Sequence, residues 1–231
     1  MTKQSKKNNL WNFGTVEGCH HHWLMLIWIL YFIVFIVEEH FITTGYWVSY
    51  LPLDDKIPFC EYFIIPYCTW YPLLLCMTLY LCFFDKPGFI RFMSFIGVGF
   101  LSVCVLYAIF PNGQDLRPAV FERHNFFTWL IGRIYAADTN TNVCPSLHVV
   151  GCSALICASF DSPELRKRHI PWIMLPLGIL VSISTVFIKQ HSVLDLITAI
   201  PYSAVVWLVV YHVMFPNKKM RPERVRPKTK S

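Results

Sequence analysis

The chain has 231 residues, of which 55% are hydrophobic and only 15% charged, with a mean hydropathy of +0.45. That composition excludes a disordered chain and argues against an ordinary soluble domain. The net charge of +6 is concentrated in the tails and short loops, so it reads as membrane topology and gives no support to nucleic-acid binding.

Six apolar blocks follow one another, each near the ~20 residues a helix needs to cross a ~30 Å hydrocarbon core. They predict an all-α fold: a polytopic membrane helix bundle with six transmembrane helices. Residues 1–22 form a polar tail with Lys3, Lys6 and Lys7. The first block, Trp23–Val37, is short, with His20, His21 and His22 before it and Glu38 and Glu39 after it. Lys6 and Lys7 ahead of an apolar run fit a signal peptide, but VEEHF offers a poor cleavage site, so the block is read as a helix. The three histidines read as an interface feature and not a metal site, because nothing acidic accompanies them there.

The second and third blocks are Tyr62–Phe84 and Phe89–Phe110. Between the third and fourth lies Phe126–Tyr135, FFTWLIGRIY, which reads equally as an interfacial helix or lid and as a loop packing element. The last three blocks are Val143–Phe160, Ile170–Ile188 and Ser192–Phe215. Residues 23–216 thus form one membrane domain, and residues 217–231 a basic tail suited to anionic lipid. Of the 20 Lys and Arg, 15 fall on the two tails and on the second and fourth loops, which predicts that both termini are cytoplasmic. The nine cysteines form no CxxC pair and read mostly as small reduced hydrophobes; Cys60 and Cys144 are the two that an oxidising side would reach.

With that orientation, the unusual polar residues gather at the outer end of the bundle. PNGQDLRP follows the third block with Asn112, Gln114 and Arg117; Ser146 and His148 open the fourth; IKQHS, with Lys189 and His191, joins the fifth to the sixth, and Asp195 follows. His191 and Asp195 are four apart and share a helical face. A carboxylate so placed holds one imidazole nitrogen as N–H and leaves the other a free lone pair, as in nucleophilic and general-base histidines. Arg117 offers a planar fork of donors for phosphate oxygens. A helix opening at Ser146 presents free backbone N–H groups to an anion. The set points to phosphoryl transfer with no metal and no cofactor, although the His–Asp pair alone reads equally as a structural ion pair.

These segments resemble the motifs of the type 2 phosphatidic acid phosphatase superfamily, in its inositol-phosphorylceramide-synthase-like and bacterial membrane branch. The family pattern is Lys-x6-Arg-Pro, Pro-Ser-Gly-His and Ser-Arg-x5-His-x3-Asp. Arg117-Pro118 matches the first, Pro145-Ser146-Leu147-His148 most of the second, and Ser184, His191 and Asp195 part of the third. The resemblance implies that His191 attacks phosphorus, Asp195 orients it, and His148 serves as general acid and base. It also implies that Arg117 and Ser146 bind the phosphate. Phe110 stands where the family has Lys, Thr185 where it has Arg, and Leu147 where it has Gly. Lys189 is the first expected replacement cation, with Arg123 and Arg133 behind it and Gln114 and Asn112 as neutral donors.

The expected function is hydrolysis of a lipid phosphate or pyrophosphate at the extracytoplasmic face of the plasma membrane. Headgroup transfer, as in inositol-phosphorylceramide or sphingomyelin synthases, shares the first step. A proton-coupled transporter and a non-catalytic membrane scaffold are the rivals from other classes.

Overall fold

The computed structural model describes residues 16–216, with side chains from residue 21. The expected basic tail, 217–231, and most of the N-terminal tail, 1–22, lie outside the described residues. The described chain is all-helical: α1 Leu26–Phe41, α2 Ile64–Phe84, α3 Lys86–Ile109, α4 Phe126–Ala137, α5 Leu147–Asp161, α6 Pro163–Lys167, α7 Pro171–Phe187 and α8 Val193–Leu208. Two short parallel strands, β1 Trp47–Val48 and β2 Asn112–Gly113, pair in the loops at one end.

Among the described residues, four helical segments are long and apolar enough to cross a membrane: His21–Phe41, Glu61–Phe84, Lys86–Ile109 and Val193–Met214. The other two expected spans are shorter as helices. α5 has 15 residues and α7 has 17, or about 23 and 26 Å at 1.5 Å per residue. The α5 helix starts at Leu147 instead of Val143 because the backbone N–H groups of Val143 and Cys144 donate to Asn112 Oδ1, at 2.9 and 2.7 Å. Those amides therefore leave the helical ladder.

α5 lies at the centre, packed on α2, α3, α7 and α8. Gly178 lets α7 approach it closely: a Cβ there would stand 3.0 Å from Ile156 Cδ1. α3 supplies the large buried rings of the core, Phe89, Phe92, Phe95, Phe100 and Tyr107. α1 is attached along one edge and buries only Tyr31 and Glu38; Ile29, Ile33 and Ile36 face outward, as a lipid-facing stripe does.

The C-terminal ends of α1, α3 and α7 and the N-terminal ends of α2, α5 and α8 meet at one end of the bundle. Ser49 N donates to Gly113 O at 2.7 Å, Asn142 N to Asn112 O at 2.7 Å, and Cys60 N to Phe187 O at 3.0 Å. These bonds tie the three long loops into one cap. At the other end Arg91 on α3 pairs with Asp161 on α5 at 2.5 Å. α4 occurs where the sequence has FFTWLIGRIY. Its Asn125 and Thr128 form a capping box, and Phe126 and Trp129 are exposed. Cys60 and Cys144 are both free thiols.

Candidate active site

The site is built on the start of α8. Ser192 is its N-cap, and Asp195, three residues on, accepts from Ser192 N at 2.9 Å, closing a capping box. The same Asp195 Oδ2 accepts from His191 Nδ1 at 3.1 Å, while Oδ1 accepts from the Ser49 hydroxyl. Asp195 is fully buried. A carboxylate can only accept, so the His191 proton sits on Nδ1 and the lone pair on Nε2.

That lone pair faces His148. The His148 Nδ1 to His191 Nε2 distance is 3.2 Å. With His191 as acceptor, His148 carries its proton on Nδ1 and its own lone pair on Nε2. His148 Nε2 is buried without a hydrogen-bond partner among the described residues. Asp195, His191 and His148 thus form a continuous line of hydrogen bonds drawn from α5 and α8.

Two aromatic residues wall His148. Trp70 and Tyr67 of α2 stand 4.4 and 4.8 Å from its ring, centroid to centroid. Gly151, one turn along α5, makes room, since a Cβ there would lie 2.8 Å from Trp70 Nε1. Trp70 Nε1, Tyr67 Oη and Ser146 Oγ are, like His148 Nε2, buried polar atoms without a partner among the described residues. Unsatisfied buried polar groups are uncommon and costly. Two of them belong to the rings that wall His148, and Ser146 lies two residues before it.

Arg117 reaches the site through Gln190, the neighbour of His191. Its Nη2 donates to Gln190 Oε1 and Thr139 O, both at 2.5 Å, and its Nη1 to Asp138 O at 3.0 Å and Tyr135 O at 3.2 Å. The guanidinium also lies over the Tyr135 ring, 4.5 Å from the centroid. Its Nε remains as a buried donor without a partner among the described residues. Ser146 N donates to Asp195 O at 3.1 Å, which joins the start of α5 to α8.

The remaining expected phosphate donors are committed elsewhere. Lys189 turns away: with φ of +56°, its backbone sends Nζ to Asp54 O at 2.9 Å and Ile57 O at 2.7 Å. Burial pulls its ammonium below the usual lysine range, against the attraction of Asp54 and Asp55. Gln114 Nε2 donates to Lys189 O at 3.1 Å, and its Oε1 accepts from Leu116 N at 2.6 Å. The Asn112 side-chain nitrogen donates to Phe110 O and Cys144 O, both at 3.0 Å. Lys189, Gln114 and Asn112 are loop fasteners. Arg123 pairs with Glu61 at 3.2 Å, and Arg133 projects outward from α4.

Sequence reasoning missed several residues that shape the site. Asp54 accepts from Ser192 Oγ at 2.6 Å and Val193 N at 2.8 Å, so a second carboxylate caps α8. Ser49 braces Asp195 from 146 residues away. Asp138 lies beside Arg117, and burial, reinforced by Glu39, pushes its carboxyl up to about 6 while Arg117 and His191 oppose the rise. Only DTNTN, a polar run directly before the fourth block, hinted at Asp138.

No family model, curated protein or solved structure matches the chain. The functional reading therefore rests on this geometry and on the motif spacing. An imidazole with its proton pinned by a carboxylate presents a nucleophilic nitrogen. A second imidazole stands beside it, within proton-transfer distance.

Proposed function

We propose that this chain is an integral membrane lipid phosphatase that cleaves a lipid phosphate or pyrophosphate through a phosphohistidine on His191. The observation that supports it is the Asp195–His191–His148 line, with contacts of 3.1 and 3.2 Å. The resemblance of Arg117-Pro118, Pro145–His148 and His191/Asp195 to the type 2 phosphatidic acid phosphatase motifs supports the same reading. In this reading α5 and α7 complete six spans, both termini are cytoplasmic, and the site opens on the outer face of the plasma membrane. The basic bias of the inner loops supports that orientation.

In the proposed reaction His191 Nε2 attacks phosphorus and the bond to the lipid oxygen breaks. His148, given a second proton on Nε2 by the incoming phosphate monoanion, transfers its Nδ1 proton to that oxygen, and the alcohol leaves. Neutral His148 then takes a proton from water as the hydroxide oxygen attacks the phosphohistidine; phosphate departs with the extra proton and His191 Nε2 regains its lone pair. Asp195 stabilises the charge that develops on His191. Arg117 Nε, Ser146 Oγ, Tyr67 Oη and Trp70 Nε1 are the donors available to phosphate oxygens.

Burial favours a second outcome for the same intermediate. His191 and His148 are only 6% and 8% exposed, and a phosphohistidine shielded from bulk water survives to meet another lipid alcohol. The product would then be a transferred headgroup.

The test is purified protein in nanodiscs with a panel of labelled lipid phosphates, with and without acceptor alcohols. Acid-labile phosphate on His191 is expected during turnover, and His191→Ala should lower the rate by about 10²–10⁴-fold or more. Phosphate release by His191→Ala at the wild-type rate would sink the proposal.

A further inference from the structure

At the opposite end of the bundle, three metal-ligating side chains from distant segments meet. His21 and His22 lie in the helical turn before α1, and Cys82 in the last turn of α2. One donor atom from each lies within 4.8 Å of the others. This end is remote from His148: Cys82 stands fifteen residues beyond Tyr67, or about 22 Å along α2.

The surroundings suit a metal centre. His21 Nε2 donates to the Cys82 carbonyl at 3.3 Å. That bond holds the His21 ring against the end of α2. The His21 and His22 rings pack with centroids 4.0 Å apart at 37°. Phe89 and Phe83 flank them at 5.6 and 6.4 Å, giving an apolar outer shell. The C-terminal end of α2 adds a partial negative charge. Histidine and thiolate together select a borderline-soft ion over calcium or magnesium.

We propose that His21, His22 and Cys82 bind a zinc ion, with a fourth position left to solvent or another ligand. Tetrahedral zinc sets N and S ligands about 3.3–3.8 Å apart, so closure from the present spacing takes about 1 Å of side-chain movement. Binding releases the Cys82 thiol proton to water and forms one Zn–S and two Zn–N bonds. The ion would tie the turn before α1 to the corner between α2 and α3. The sequence concealed this site because the thiol arrives from a helix about sixty residues downstream.

The experiment uses the full chain, purified without an affinity tag and placed in nanodiscs. Elemental analysis after dialysis against buffered zinc should find about one zinc per chain. Cobalt substitution should give a near-ultraviolet thiolate-to-cobalt charge-transfer band. Both should fall at least tenfold in Cys82→Ser and in His21→Ala/His22→Ala, and persist in Cys76→Ser on the exposed face of the same helix. Circular dichroism checks that each variant is folded. Wild-type protein that retains no more zinc than Cys82→Ser, or zinc that persists in both variants, overturns the proposal. Because His191 and Asp195 are untouched, failure here leaves the phosphatase reading standing, and the reverse also holds.

Discussion

His148 Nδ1 stands 3.2 Å from His191 Nε2, while Asp195 holds the other nitrogen of His191 at 3.1 Å. The lone pair proposed to attack phosphorus is therefore engaged before any substrate arrives. A phosphoryl group must part the two rings, and its oxygens then meet the buried donors around His148. In the resting site both ring nitrogens of His191 are engaged, while His148 keeps Nε2 without a partner among the described residues.

Asp195 supports both the chemistry and the start of α8. Asp195→Asn presents an amide N–H to His191 Nδ1, Ser192 N or the Ser49 hydroxyl, all of them donors. Turnover should fall by about 10²–10⁴-fold, and stability by about 2–3 kcal/mol. Ser49→Ala removes one brace and leaves the pair intact, so it should cost about 1 kcal/mol and far less activity. Lipid-phosphate turnover and thermal unfolding of the three proteins give the comparison.

Lys189 separates a structural role from a phosphate-binding one. Lys189→Gln loses both bonds to the 54–57 turn and should lower stability by about 1–3 kcal/mol. Its KM for lipid phosphate should stay within about twofold of wild type, since Nζ faces carbonyls. A tenfold rise in KM with unchanged thermal stability would restore Lys189 as the phosphate cation.

Tyr67 predicts the opposite pattern. Its hydroxyl has no hydrogen-bond partner among the described residues, so Tyr67→Phe should leave the unfolding temperature unchanged or raised. If the hydroxyl serves substrate, kcat/KM should drop by about tenfold, the loss of one bond to a charged group. Kinetics that match wild type would show that this hydroxyl touches nothing that reacts.

Asp138 carries the pH dependence. Its folded value of about 6 is raised above the ordinary 3.8 by burial first, with Glu39 adding and Arg117 and His191 opposing. Folding therefore favours the protonated form, and the stability it contributes is full below about 3.8 and lost as pH rises through about 6. Asp138→Asn should be more stable than wild type at pH 7.5, by about 1–2 kcal/mol after allowance for its partly exposed side, with no gain at pH 4. Thermal unfolding at the two pH values reads this directly; an equal gain at both would point to a cause other than ionisation.

The long helices were legible because their cause is local. Tyr62–Phe84 and Ser192–Phe215 mark continuous apolar runs, and α2 and α8 with its last turn follow them closely. α3 begins at Lys86, ahead of the apolar run, because Asp85 caps it by accepting from Gly88 N at 3.0 Å. α1 runs through Glu38, Glu39 and His40 to Phe41. The acidic pair reads as a flank, yet Glu39 is a fastener that accepts from Thr139 N and Asn142 Nδ2, both at 2.8 Å. In the site, the His191–Asp195 pair forms as expected but not on a helical face: His191 lies one residue before the N-cap Ser192, and Asp195 meets it while closing the capping box. Lys189 was misread because a left-handed backbone sets its direction. The bonds of Asp54 and Ser49 to the start of α8 are likewise fixed by loop crossings that no local pattern records, and the contact of Tyr67 with His148 by helix packing.

The bracing of α8 by Ser49 and Asp54 also orders events during synthesis. These braces are made early, and Asp195 follows Ser49 by 146 residues. At about 5–20 residues per second that interval is roughly 7–30 s. During it the nascent chain gains first the braces, then Arg117 and His148, and only at its end His191 and Asp195. The pair proposed to react is the last part of the site to leave the ribosome, so under that proposal a chain terminated before His191 carries no nucleophile.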